Sequence, residues 1–507
     1  MPLTNGQPVF LSANYIWDSN GPTGGPVDGG GAWLATGKWW DGLFNRDWTS
    51  TYNASFGLGG AGGAVTLASP TVVNSMTFNL FSGTYTIGTA GQTITLNAGI
   101  AKNSNSSGIT TFISPITLAS PQTFFNHSTA ELGVKGGVNL NGNLLTIDGT
   151  GFTSFGATAS IITGAGGITK NGTGLCVLGA GGTVPVHNFS GTFTINGGEV
   201  RFNGNLSANC NLVISEGVYS AYWVDTFTRT LGTGAGQVQI LGGSSGFSEN
   251  GSTGMTVKLN NNSAYEVVWG STHFNPTIFI LQSATAQGAS AILFDNKLDL
   301  NGANRTIFSS ITTGTGTGYA RMGQVIRNST GTAGIIKEGS GTLELGAANT
   351  YNGDTVINNG ILRLAAGGSI AGNVITNGPG KLCGPATNNN TTVTGTVTIA
   401  DDSTGGFCVG DYGSNTMNTG ALTFLGTNSR LNISSRATTM NKVNVTGNVA
   451  LGGCGITFPA GITTNGTYDI IVASGTMSGL LPTIITNATG KTLVLSQVGN
   501  TLKVTVS

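Results

Sequence analysis

Carboxylates that could act as a pair are the first place to look for chemistry in this sequence. Glycoside hydrolysis needs two carboxyl groups about 5–9.5 Å apart. The stretch "DNKLD" offers Asp295 and Asp299 on one face of an extended strand, but four strand residues span about 13 Å. Asp401 and Asp402 are adjacent, so they point to opposite faces of a strand or sit together in a turn. The three histidines, His127, His187 and His273, are isolated from one another and form no H-E-x-x-H spacing. The five cysteines, at 176, 210, 383, 408 and 454, form no C-x-x-C pair and read as small buried hydrophobes. The segment "GLGGAG" fits G-x-G-x-x-G, yet the strand-like "AVTLASPTVV" follows where phosphate binding needs a helix. The reading expects no catalytic residue, no metal site and no cofactor. A polysaccharide-degrading activity, assembled from carboxylates distant in sequence, stays as the alternative.

Composition narrows the classes further. Of 507 residues, 84 are Gly and only 8% are charged, with a net charge of zero. Ordinary soluble proteins carry about 25% charged residues and about 7% Gly. Nucleic-acid binding needs clustered Lys and Arg to neutralise phosphates, and no such cluster is present. No run of 18 apolar residues offers a membrane-spanning helix. The opening "MPLTNGQPVFLSANYIW" lacks a basic region followed by a continuous apolar one, so no secretory leader is expected in it. Near-zero net charge favours association, and stacked Asn side chains stabilise a β-stack.

The elements that must position any site are short strands. In "IIKEGSGTLELGAANTYNGDTVINNGILRL", residues 335 to 364, Leu343 and Leu345 flank Glu344, and Leu362 and Leu364 flank Arg363. Alternation predicts that the four leucines face a core while Glu344 and Arg363 face out. Tyr351 and Gly353 fall in the turn between these strands. Residues 167 to 202 carry a degenerate copy: Lys170 answers to Lys337, "GTGLCVL" to "GSGTLEL", "NFSG" to "NTYNG" and Arg201 to Arg363. This wording resembles the autotransporter-associated β-strand repeat. The resemblance implies an all-β chain, an elongated right-handed parallel β-helix exported to the cell surface.

Three segments follow. Residues 1–56 hold Trp17, Trp33, Trp39, Trp40 and Trp48 among irregular Pro and Gly turns, and are expected to form an aromatic N-terminal cap. Trp39, Trp40 and Trp48 are the candidates for an assembly contact or, alternatively, for stacking on sugars. Residues 57–447 continue the strand–turn beat as the solenoid body, and 448–507 read as a closing β unit. The function expected is a structural fibre or adhesin, on a virion or on a bacterial surface. It would self-associate, with cell-surface polysaccharide as a candidate ligand.

Overall fold

A computed structural model describes residues 3–4, 7–8 and 14–507, apart from 157–161, 180–186, 205, 223–225, 252, 286–290, 311–317, 388, 411–413 and 460. The altered middle of the degenerate repeat and the first residues of the Trp-rich head therefore lie partly outside the described residues. What is described is nearly all β, with a single three-residue 3-10 turn at Leu259–Asn261. The chain divides into two compact units, Met1–Val224 with Gly232–Leu241, and Asp225–Leu231 with Gly242–Ser507.

The first unit is built from three parallel ladders. One runs through Asn53–Phe56, Met76–Phe78, Ile100–Lys102, Gln122–Asn126, Leu145–Asp148, Ile168–Lys170, Thr192–Ile195 and Asn211–Ser215. A second runs from Ala64–Thr66 to Val218–Ala221, and a third joins six strands from Thr71–Val73 to Asn188–Phe189. Each strand meets its neighbour one coil away rather than a hairpin partner, the arrangement of a parallel β-helix. Period-2 alternation then stacks like on like. Met76, Ile100, Phe124 and Ile147 form one in-register buried column, and Ile87, Phe112, Val134, Phe155, Leu178 and Phe202 form another.

The second unit repeats the plan. Eleven strands from Thr226–Phe227 to Thr483–Asn487 form one parallel ladder. Its core column holds Ile292, Ala320, Leu343, Leu362, Leu382, Phe407, Leu431 and Ile456, all fully buried. Its coils differ in length: Met255 meets Ile292, whereas Leu343 meets Leu362. In the last coil, Gly466–Ala473 pairs parallel with Lys442–Val445 on one side and antiparallel with Thr501–Val506 on the other, and Thr501–Val506 pairs antiparallel with Leu493–Val498.

Side-chain ladders reinforce the backbone ones. Asn53 Nδ2 donates to Asn14 Oδ1 (2.7 Å), and Asn74 Nδ2 donates to Asn53 Oδ1 (2.7 Å). Asn377 donates to Asn358 (3.0 Å), which donates to Glu338 (2.7 Å). Asn53 and Asn358 each donate towards the preceding coil and accept from the following one, so an Asn in such a row uses both ends of its amide.

Candidate functional site

The repeat coil is the best-formed constellation. Leu343 and Leu345 lie in register with Leu362 and Leu364, and all four are fully buried. Tyr351 is buried in the intervening turn, its hydroxyl 2.6 Å from Thr355 Oγ1. Gly353 is required by close approach: a Cβ there would lie 2.4 Å from the carbonyl carbon of Ala333 and 2.7 Å from Gly334 N, backbone that cannot yield. Replacing Tyr351 by Phe keeps the ring and leaves Thr355 without this partner. The expected cost is about 1–2 kcal/mol in a denaturant melt, and an unchanged melt would show that the hydroxyl pair contributes nothing.

One part of the outward assignment needs correcting. Glu344 does sit on the outer side of its sheet, but only 7% of it is exposed. It is held in register between Arg321 and Arg363, with Arg321 Nη1 2.9 Å from its Oε1. The partners are supplied by neighbouring coils, which alternation along one strand does not reveal. Together with Tyr319, Ala365 and the Pro385–Thr387 loop, these three side chains line a pocket of about 350 Å³.

Lys337 is the functional residue of the coil that polarity misplaces. It occupies a core column between Ile307 and Ile357 and is fully buried. Its Nζ donates to the carbonyl oxygens of Gly339 (2.6 Å), Glu338 (2.7 Å), Asn359 (3.2 Å) and Ser309 (3.5 Å). Lys170 does the same with the carbonyls of Gly172 and Gly197. Lys102, outside both repeat copies, donates to Ala130 O (3.0 Å) and Glu131 O (2.7 Å). In each case the buried amine adds a donor to turn carbonyls, which for Lys337 and Lys170 come from more than one coil. Burial pushes the amine of Lys337 down to about 7 and that of Lys102 down to about 8. A sequence signal exists: "GIIK", "GITK" and "GIAK" end at these three lysines.

In the head, Trp17, Trp33 and Trp39 are fully buried. The Trp39 ring centre lies 4.5 Å from Trp48, 4.6 Å from Trp33, 5.3 Å from Trp17 and 5.8 Å from Phe56, the first phenylalanine of a core column. Trp39 Nε1 donates to Trp33 O at 2.9 Å. Trp48 is half-buried, with Nε1 3.2 Å from Val72 O. Trp40 alternates to the other side of the strand Trp39–Trp40 and is half-buried there. The structure thus brings Trp39 and Trp48 together and leaves Trp40 apart. Asp28 ties the head to the first coils, accepting from Gly57 N (3.1 Å), Leu58 N (2.8 Å), Gly60 N (2.7 Å) and the Tyr85 hydroxyl (2.6 Å).

The carboxylates weighed for hydrolysis are engaged elsewhere. Asp295 accepts from Gln324 (2.8 Å) and Ser263 (2.5 Å) and faces Lys258 at 3.5 Å. Burial alone would raise its pKa, but these partners outweigh it and hold it below the usual carboxylate range. Asp299 accepts from the backbone N–H groups of Asn301 (2.9 Å) and Ser329 (3.0 Å) and pairs with Arg327 at 3.1 Å. Asp401 and Asp402 sit in a turn, accepting from Asn428 N (2.8 Å) and Gly378 N (3.2 Å). His187 is buried rather than on the surface, which pushes it down to about 4, and its Nδ1 accepts from Ile162 N (3.2 Å). All five cysteines are buried thiols. Among the described residues, no group of three His, Cys, Asp or Glu side chains is placed to hold a metal ion. Among them, too, no helix is long and apolar enough to cross a membrane.

The parallel ladders and the repeat coil define a parallel β-helix. The model of the passenger-associated-transport-repeat matches residues 168–202 and 335–364, the two copies read in the sequence. The chain is also similar to the adhesin BmaC autotransporter of Brucella suis biovar 1 (strain 1330), 28% identical over 360 residues. That alignment covers 68% of this chain and 9% of the adhesin.

Proposed function

We propose that this chain is a cell-surface adhesin, or the adhesive segment of one, in which stacked coils hold a binding surface away from the cell. The similarity to an autotransporter adhesin across 68% of the chain carries this reading. The repeat coils support it, because Leu343 and Leu345 are spent on Leu362 and Leu364 of the next coil while Asn358 and Asn377 form a polar row on the outside. The partners that hold Asp295 and Asp299 argue against these two as a hydrolytic pair, since such a pair needs one carboxyl raised towards neutrality and both are held low. In this reading the Trp-rich head and the antiparallel C-terminal strands close the ends of the coil stacks. Self-association would extend the surface.

The test is gain of adherence. A non-adherent bacterium displaying the chain is expected to bind cultured animal cells or glycan-coated wells several-fold better than the same bacterium displaying an unrelated β-helix. Equal adherence of the two strains across cells, glycans and bare plastic would overturn the reading.

A further inference from the structure

The geometry points to the Arg321–Glu344–Arg363 pocket as a binding site for a carboxylated sugar, a uronic-acid unit of an acidic glycan. The inference rests on the adhesin reading and gives it a ligand class. Three charged side chains stand in one in-register column, in a chain whose charged residues total only 20 basic and 20 acidic. Neighbouring strands place them about 4.8 Å apart. Arg321 and Arg363 stand in register on either side of Glu344, so two cationic side chains and one anionic side chain line the pocket.

Each feature of the pocket matches one feature of such a sugar. A guanidinium is a planar fork suited to a carboxylate. Arg321, with 37% of its side chain exposed, pairs with Glu344 through Nη1. Glu344 accepts hydrogen bonds and donates none when ionised. A sugar acid offers it several hydroxyl protons on a ring beside its own carboxylate, whereas inorganic phosphate brings at most two and no C–H face for the apolar wall. Tyr319 and Ala365 supply an apolar wall for the C–H face of a ring. The volume, about 350 Å³, is at the small end of ligand pockets and fits one ring rather than a long segment.

Two observations show that the site is held in place. The loop bearing Pro385 is tethered, since Asn415 Nδ2 donates to Pro385 O (2.9 Å) and Gly384 N to Cys408 O (2.8 Å). The Arg321 guanidinium also lies directly over Gly346, where a Cβ would sit 2.9 Å from both Nε and Nη2. Gly346→Ala therefore displaces the guanidinium without touching the core, and the flexible end of the arginine can yield.

The experiment titrates the full chain with a glucuronate-containing hexasaccharide, with maltohexaose, with hexaglutamate and with inorganic phosphate, by calorimetry. The expected result is saturable binding of the acidic sugar alone. That binding should weaken at least tenfold in Arg321→Gln, Arg363→Gln and Gly346→Ala, each still showing a cooperative melt well above the titration temperature, while the distant control Lys503→Gln binds as the parent does. No binding, binding indifferent to these variants, or equal competition by hexaglutamate or phosphate would overturn the assignment. Adherence that persists in Arg321→Gln and Arg363→Gln would leave the adhesin reading standing and remove this pocket from it. Sugar binding without adherence would do the reverse.

Discussion

Trp39→Ala is expected to destabilise the first unit by about 3–5 kcal/mol, the usual cost of emptying a large buried aromatic site. The ring is fully buried, contacts Trp17, Trp33, Trp48 and Phe56, and places its N–H on the Trp33 carbonyl. Removing it opens a cavity and leaves that carbonyl short of a donor. A denaturant melt followed by Trp fluorescence reports the change. Trp40→Ala, half-buried and outside the ring cluster, is expected to cost less than half as much. This pair separates packing from sugar stacking. Burial leaves no face of Trp39 for a sugar, so glycan binding lost with an unchanged melt would refute the packing role. Equal losses for Trp39 and Trp40 would refute the assignment of faces.

Lys337→Met is the second large effect, about 3–5 kcal/mol, because it removes the donor shared by the Ser309, Glu338, Gly339 and Asn359 carbonyls of three successive coils. Methionine fills similar space, so the loss reports the amine head group rather than the stem. The pH dependence has a definite sign. An unfolded lysine keeps its proton up to about 10.5, whereas burial lowers folded Lys337 to about 7. Between these values unfolding takes up a proton, so this group's contribution to stability rises with pH across the window. The deficit of Lys337→Met relative to the parent should therefore be smaller at pH 6 than at pH 9. A deficit independent of pH would show that the carbonyl oxygens restore the amine to its ordinary range.

Much of the β-helix was legible because alternation is local. Leu343, Leu345, Leu362 and Leu364 follow from period 2, and the turn at Tyr351–Gly353 from residues that tolerate tight backbone. What escaped depends on coil length, which no single strand encodes. Glu344 meets Arg321 and Arg363 only because coils of particular length bring those positions into register. The lysines escaped for a different reason. Charge suggests an outward side chain, but the long apolar stem fills a core column and carbonyls of neighbouring coils supply acceptors for the buried amine. Asp295 and Asp299 drew attention as potential acids, although only the folded chain shows the amide, hydroxyl and cationic partners that keep them ionised. In the head, five tryptophans marked a distinct segment, while irregular turns concealed which ring met which.

The in-register columns also bear on how such a gene can change. Leu343 meets Leu362, and Leu362 meets Leu382, each presenting the same inward face to the next. Excising one whole period hands the preceding strand a partner of equal alternation, while losing a single residue would turn a strand's leucines outward. Recombination between copies could therefore lengthen or shorten the chain in steps of one coil and leave each surviving interface nearly as it was. Reach, rather than sequence, becomes the quantity that selection can adjust most cheaply.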